Sequence, residues 1–146
     1  MTETLGFSLN EISRLMRRRF DARARAIGVT RAQWHTLFMV SRNEGVNQGG
    51  LAELMEVEPI TACRMIDRLE EAGLLERRRD PKDRRMWRIY LTESARPLLA
   101  RLKTIGADVT EQALRGIAEP DRERLTGLLS DIRANLTNIE NETAHG

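Results

Sequence analysis

The 146 residues predict a mainly α-helical fold carrying one small β-hairpin, and three observations carry that expectation. Apolar residues recur at three-four spacing in long segments on both sides of the chain's middle, as amphipathic helices require. Between Asn47 and Gly73, one short helical pattern, a tight Glu56-Val57-Glu58 turn and a second helical pattern follow in succession. Directly afterwards, Trp87, Ile89 and Leu91 alternate with Arg88 and Tyr90, the period-two mark of a strand with one buried face.

Taken in order, Leu5, Leu9, Ile12, Met16, Phe20, Ala24 and Ile27 trace one long helix that Gly28 stops. Thr30 with Gln33 forms a capping box for a second helix ending near Gly45, with Trp34, Leu37 and Phe38 facing inward. A short third helix follows Asn47, with Leu51, Leu54 and Met55 as its apolar side. Pro59 suits the first position of the fourth helix and Gly73 the position past its end, while Ala62, Met65, Ile66, Leu69 and Ala72 form its buried stripe. Asp80-Pro81-Lys82-Asp83 supplies turn chemistry for the hairpin, because proline presets φ and aspartate bonds its own backbone. Leu98, Leu102, Ile105, Val109 and Ala113 trace a fifth helix ending around Gly116, with a bend expected at Pro97 one turn inside it. Leu125, Leu129, Ile132, Leu136 and Ile139 trace the last helix after Glu119-Pro120. The order is that of a winged helix-turn-helix domain over 30–92, flanked by a helix over 1–29 and two helices over 93–146. The flanking stripes hold more apolar surface than the small middle domain can cover, so they are read as dimerisation regions joining two copies of the chain.

Composition narrows the function classes. With 40% hydrophobic and 32% charged residues the chain reads as globular rather than disordered. The total charge is only +2, yet residues 77–92 set seven cations against two aspartates, a local +5. A cationic tip of that kind is unfavourable alone and favourable beside phosphates, where counterions are released. The single cysteine, Cys63, excludes an intrachain disulfide, and no signal core or membrane-length apolar run is present, so the reading is cytoplasmic with no membrane partner. Two histidines, no metal-spaced ligand set and no glycine-rich phosphate loop leave nothing from which to assemble an enzyme, and no cofactor or metal is expected.

The fourth helix exposes Ile60, Thr61, Arg64 and Arg68 away from its buried stripe. Lying in a major groove, it would bring Arg64 to a guanine, Thr61 to a base edge or phosphate and Ile60 to a thymine methyl. The plainer account of Arg64 and Arg68 is solvation; the cationic hairpin just downstream weighs against it. At the hairpin, Asp83 is expected to orient Arg84 or Arg85 as a carboxylate holds a guanidinium fork. Cys63 in the recognition helix reads better as a small half-buried hydrophobe than as a redox switch.

With those residues in place, the helix order and the run "GLLERRRDPKDRRMWRIYLT" resemble the MarR family of winged-helix regulators, and its SlyA-like branch in particular. The resemblance extends over about Leu5 to Ile139 and implies a homodimer on a pseudo-palindromic double-stranded DNA operator, acting as a repressor or anti-silencer. By position it implies that Ile60, Thr61 and Arg64 read the major groove and that Arg84 and Arg85 act from the wing. It also implies a small anionic or aromatic effector in a pocket at Trp34, His35 and Phe38, with Arg14 or Arg17 of the first helix as counter-ion. The plainer alternative makes Trp34 and Phe38 core residues and leaves His35 exposed. A winged helix serving only protein-protein contacts is the competing class, and the cationic wing together with Arg64 is what such a module would have no reason to keep.

Overall fold

The computed structural model describes residues 2–144, with side chains described over 4–138. The elements are α1 (Thr2–Ala26), α2 (Arg31–Arg42), α3 (Gln48–Met55), α4 (Pro59–Glu71), β1 (Leu75–Arg79), β2 (Trp87–Leu91), α5 (Ala95–Ala113) and α6 (Glu119–Ala144). By contact, residues 1–109 form one compact unit and residues 110–146 a second.

In the first unit the core gathers Leu37 and Val40 of α2, Leu51 and Met55 of α3, Ile66 and Leu69 of α4, and Leu75, Ile89 and Leu91 of the hairpin. Phe20 and Ala24 of α1 and Ala95, Leu99, Leu102, Ile105 and Val109 of α5 join the same cluster. The entries of α2 and α3 are set locally. Thr30 Oγ1 accepts from the Gln33 amide while the Gln33 side chain accepts from the Thr30 amide, closing the expected capping box. Asn47 Oδ1 accepts from the Gly50 amide and caps α3.

Glu56 ends α3 in the left-handed region at φ 55°, which reverses the chain toward α4 at some conformational cost for a residue with a Cβ. At the far end of α4, Gly73 takes φ 76°, its amide donates to the Glu70 carbonyl, and the Leu74 amide donates to the Leu69 carbonyl. This six-to-one and five-to-two pairing closes the helix and points the chain into β1.

The strands pair antiparallel in the register Leu75↔Leu91, Arg77↔Ile89 and Arg79↔Trp87. A third short backbone segment lies along β2: the Gly45 amide donates to the Ile89 carbonyl, the Ile89 amide donates to the Val46 carbonyl, and Asn47 bridges to Arg88. Gly45 is required there, at φ 86°, because a Cβ would meet the Tyr90 hydroxyl at 3.2 Å.

Several expectations are corrected. Leu54 is 45% exposed, and Ala52 takes the buried place beside Leu51 and Met55. Ala72 lies past the end of α4 and is exposed. No bend is needed at Pro97, because α5 begins at Ala95; proline in the first turn removes an amide that has no intrahelical acceptor. α2 stops at Arg42 and α5 at Ala113, short of the glycines that follow.

In the second unit, Arg122 of α6 donates to the Leu114 and Ile117 carbonyls and pairs with Glu111 at 2.8 Å. Along α6, Leu125, Leu128, Leu129 and Leu136 are exposed and Ile132 is half-buried, while the Ile139 side chain lies outside the described residues. No described helix is long and apolar enough to cross a membrane.

Candidate nucleic-acid interface

α4 buries Ala62, Ile66 and Leu69 completely or nearly so, and that face sets what its opposite side can present. At 3.6 residues per turn, positions 60, 61, 64 and 68 fall within a sector of about 100° opposite that stripe. Ile60 is 61% exposed, Arg64 and Arg68 are exposed, and Thr61 is half-buried. An isoleucine that exposed on a short, well-anchored helix is apolar surface presented without a partner among the described residues.

Arg77 holds α4 against the hairpin. It points inward from β1, its side chain only 12% exposed, and its guanidinium reaches Asp67 at 2.6 Å and Glu70 at 3.0 Å on α4. Its Nε also donates to Gln48 of α3 at 3.1 Å, so one side chain ties three elements together. The sequence signal for this latch was the Asp67–Glu70 pair one turn apart, facing a strand that begins four residues after the helix; sequence reasoning had instead counted Arg77 among the cations of the tip.

At the turn, Asp80 is buried and acts as the organising acceptor. Its Oδ1 accepts from the Lys82 and Asp83 amides at 2.7 and 3.3 Å, and its Oδ2 accepts from Arg88 Nε at 2.8 Å. The Lys82 amide foremost, then the Asp83 amide and Arg88, outweigh partial desolvation and hold the Asp80 carboxyl below the usual carboxylate range. Arg88 in turn donates to the Gly45 carbonyl at 2.7 Å, fastening the wing to the α2–α3 connection.

Of the seven cations, Arg77 and Arg88 are therefore spent inside the fold. Arg78 pairs with Glu76 and lies over the Tyr90 ring, and Arg79 lies over Trp87. Lys82, Arg84 and Arg85 remain at the tip. Asp83 accepts from both the Arg85 amide and its Nε, which orients a guanidinium that is still 93% exposed. The Arg84 side chain is exposed and has no partner among the described residues.

The remaining sequence-predicted residues are placed elsewhere. Trp34 packs edge-on to Phe20 at 4.7 Å and lies 6.0 Å from Phe38 and 5.8 Å from His35, all three α2 rings being half-buried. Its indole N–H donates to Asp21 at 2.8 Å. Arg14 and Arg17 are exposed on α1 and make no contact with these rings among the described residues. Cys63 is half-buried, with its sulfur 3.8 Å from Arg77 Nη2.

An exposed helix face with a cationic hairpin beside it, both clamped to a three-helix core, defines a winged helix-turn-helix DNA-binding transcriptional regulator. Residues 29–86 match the pattern described as the MarR family. The fold superposes on a MarR transcriptional regulator from Methanosarcina mazei Go1 with a TM-score of 0.82 and 26% identity, covering 94% of this chain and 99% of that one. It is 35% identical to the transcriptional regulator PA3341, with a TM-score of 0.76 over 92% of this chain and 98% of that one. The regulator SlyA is matched at 28% identity and a TM-score of 0.75, over 92% and 94%. The chain belongs to the MarR family of transcriptional regulators, which bind DNA as homodimers; it is not an enzyme.

Proposed function

We propose that this regulator reads a pseudo-palindromic operator as a homodimer, with Ile60, Thr61, Arg64 and Arg68 of α4 in successive major grooves and Arg84 and Arg85 of the wing on the flanking backbone and minor groove. The observation that carries the reading is the division of labour among the wing cations: Arg77 and Arg88 are tied to carboxylates within the fold, whereas Arg84 and the 93% exposed Arg85 stand at the tip. Together with the wing sequence, the SlyA match supports the SlyA-like branch within the family, and a repressor or anti-silencer role belongs to that proposal. Two-fold symmetry sets half-sites about one helical turn apart.

The test is the affinity for a selected operator and for random duplex at several salt concentrations. Arg64→Ala is expected to lose about 1 to 3 kcal/mol per half-site on the operator while sequence-independent binding changes far less. Arg84→Ala and Arg85→Ala are expected to weaken both DNAs and to lower the salt slope by about one unit per lost contact per subunit. An unchanged salt slope in both wing variants rules out wing contact with DNA.

An anionic aromatic effector acting near Trp34, His35 and Phe38, with Arg14 or Arg17 as counter-ion, completes the proposal. Support comes from the clustering of those three rings on α2 beside the arginine-rich α1. Coupling to DNA binding of about 1 to 3 kcal/mol would accompany it. Trp34 fluorescence and operator affinity that both ignore a panel of aromatic acids at millimolar concentration remove this part.

A further inference from the structure

Within residues 1–109, a strongly charged feature apart from α4 and the wing is a hollow of about 630 Å³ on the α1–α2 face. Arg18, Arg19 and Arg25 line it from α1 and Arg31 from the first turn of α2, with Asp21 as its one acidic member, a net +3. The spacing of 18, 22 and 25 keeps one side of α1 together while Phe20 and Ala24 turn into the core.

Asp21 is already occupied. Its Oδ1 accepts from the Trp34 indole at 2.8 Å, and its Oδ2 accepts from Arg31 Nε and Nη2 at 2.9 and 2.7 Å. The aromatic cluster thus holds the carboxylate and the carboxylate aims Arg31, whose side chain stays 55% exposed. Neither Arg18 nor Arg25 is in an ion pair among the described residues. Arginines crowded on one helix face repel one another, and an external anion reverses that cost.

The hollow does not stand apart from the recognition helix. Thr30, Gln33, Met65 and Arg68 line a second, smaller hollow, so the start of α2 adjoins the side of α4 that carries Arg68. Thr30 and Ala32 of the smaller hollow flank Arg31 of the larger one in sequence, so the two hollows meet the same first turn of α2.

We propose that this α1–α2 face is a third contact surface for the operator, gripping backbone phosphates beyond the segment covered by α4 and the wing; the inference rests on the DNA-binding reading above. A duplex fits better than a small anion. Arg18 and Arg25 stand seven residues apart, about 10 Å along the helix, a separation that takes in more than one phosphate of a duplex carrying one per strand for about every 3.4 Å of its axis.

The experiment compares operator duplexes selected by the wild-type full chain, one trimmed to the specific core and one extended by about 10 base pairs on each side. The variants are Arg18→Gln/Arg25→Gln, which leaves the Asp21–Arg31–Trp34 network intact, and the triple variant adding Arg31→Gln. On the extended duplex both are expected to bind about tenfold or more weaker at low salt, with the salt slope reduced by about one unit per lost contact per subunit. On the core duplex they bind as the wild type does.

Arg64→Ala, the comparison variant, loses affinity on both lengths. If the arginine variants match the wild type on the extended duplex while Arg64→Ala fails, the third surface is refuted and the DNA-binding reading stands. If the wild type itself prefers no duplex, both fall. Variants that become monomeric by light scattering assign these arginines to subunit contact and overturn the proposal.

Discussion

At the residue scale, the same side-chain type performs opposite tasks in this wing, and the acceptors within reach decide which. Arg77 and Arg88 are bonded to carboxylates and carbonyls of the fold, so they stiffen the platform, whereas Arg84 and Arg85 keep their hydration and remain available to phosphates. Asp80 stands at the centre of the difference. Because its folded carboxyl titrates below the usual range, the stability it adds is present above about pH 4 and is lost as pH falls through the folded value. The Lys82 and Asp83 amide shifts are therefore expected to stay constant from neutral pH to about pH 5 and to move together below about pH 4. Asp80→Asn keeps an acceptor for both amides and should abolish that acid step. An identical step in wild type and variant would assign it to another carboxylate.

At the element scale, α4 is positioned from both sides. Its buried stripe packs on the core, and the Arg77 latch holds its outer edge to β1 and, through Gln48, to α3. The three-way bonding depends on a planar fork, so a lysine cannot replace it. Arg77→Ala should lower stability by about 1.5 to 3 kcal/mol, the range for hydrogen bonds to charged groups, with Asp67 and Glu70 sufficiently exposed to rehydrate. Arg77→Lys should recover less than half of it. Urea unfolding midpoints check both, and an unchanged midpoint in Arg77→Ala would show that the latch adds nothing to stability.

At the scale of the whole molecule, the apolar surface left uncovered on the end helices is the controlling fact. Leu5, Phe7, Leu9 and Ile12 of α1 are exposed, as are Leu125, Leu128, Leu129 and Leu136 of α6, far more than scattered surface leucines. Family membership makes the homodimer the cover, and we propose that α1, α5 and α6 form it. Replacing Leu129 and Leu136 with aspartate is expected to yield monomers by light scattering, with helical content retained and operator binding largely lost. A variant that remains dimeric would place the interface elsewhere.

Periodicity, caps and turn residues alone determined the six helices, the hairpin and the face of α4 that carries Ile60, Arg64 and Arg68, because each depends on chemistry within a few residues along the chain. The local +5 at the wing was legible for the same reason. Which cations are free was decided only by tertiary structure. The Gln48 partner of Arg77 on α3, the Gly45 carbonyl that receives Arg88, and the backbone segment at Val46 that lies beside β2 come from distant parts of the chain. Charge counting treats all seven cations alike, whereas folding brings carboxylates and carbonyls to some of them and leaves the rest to water.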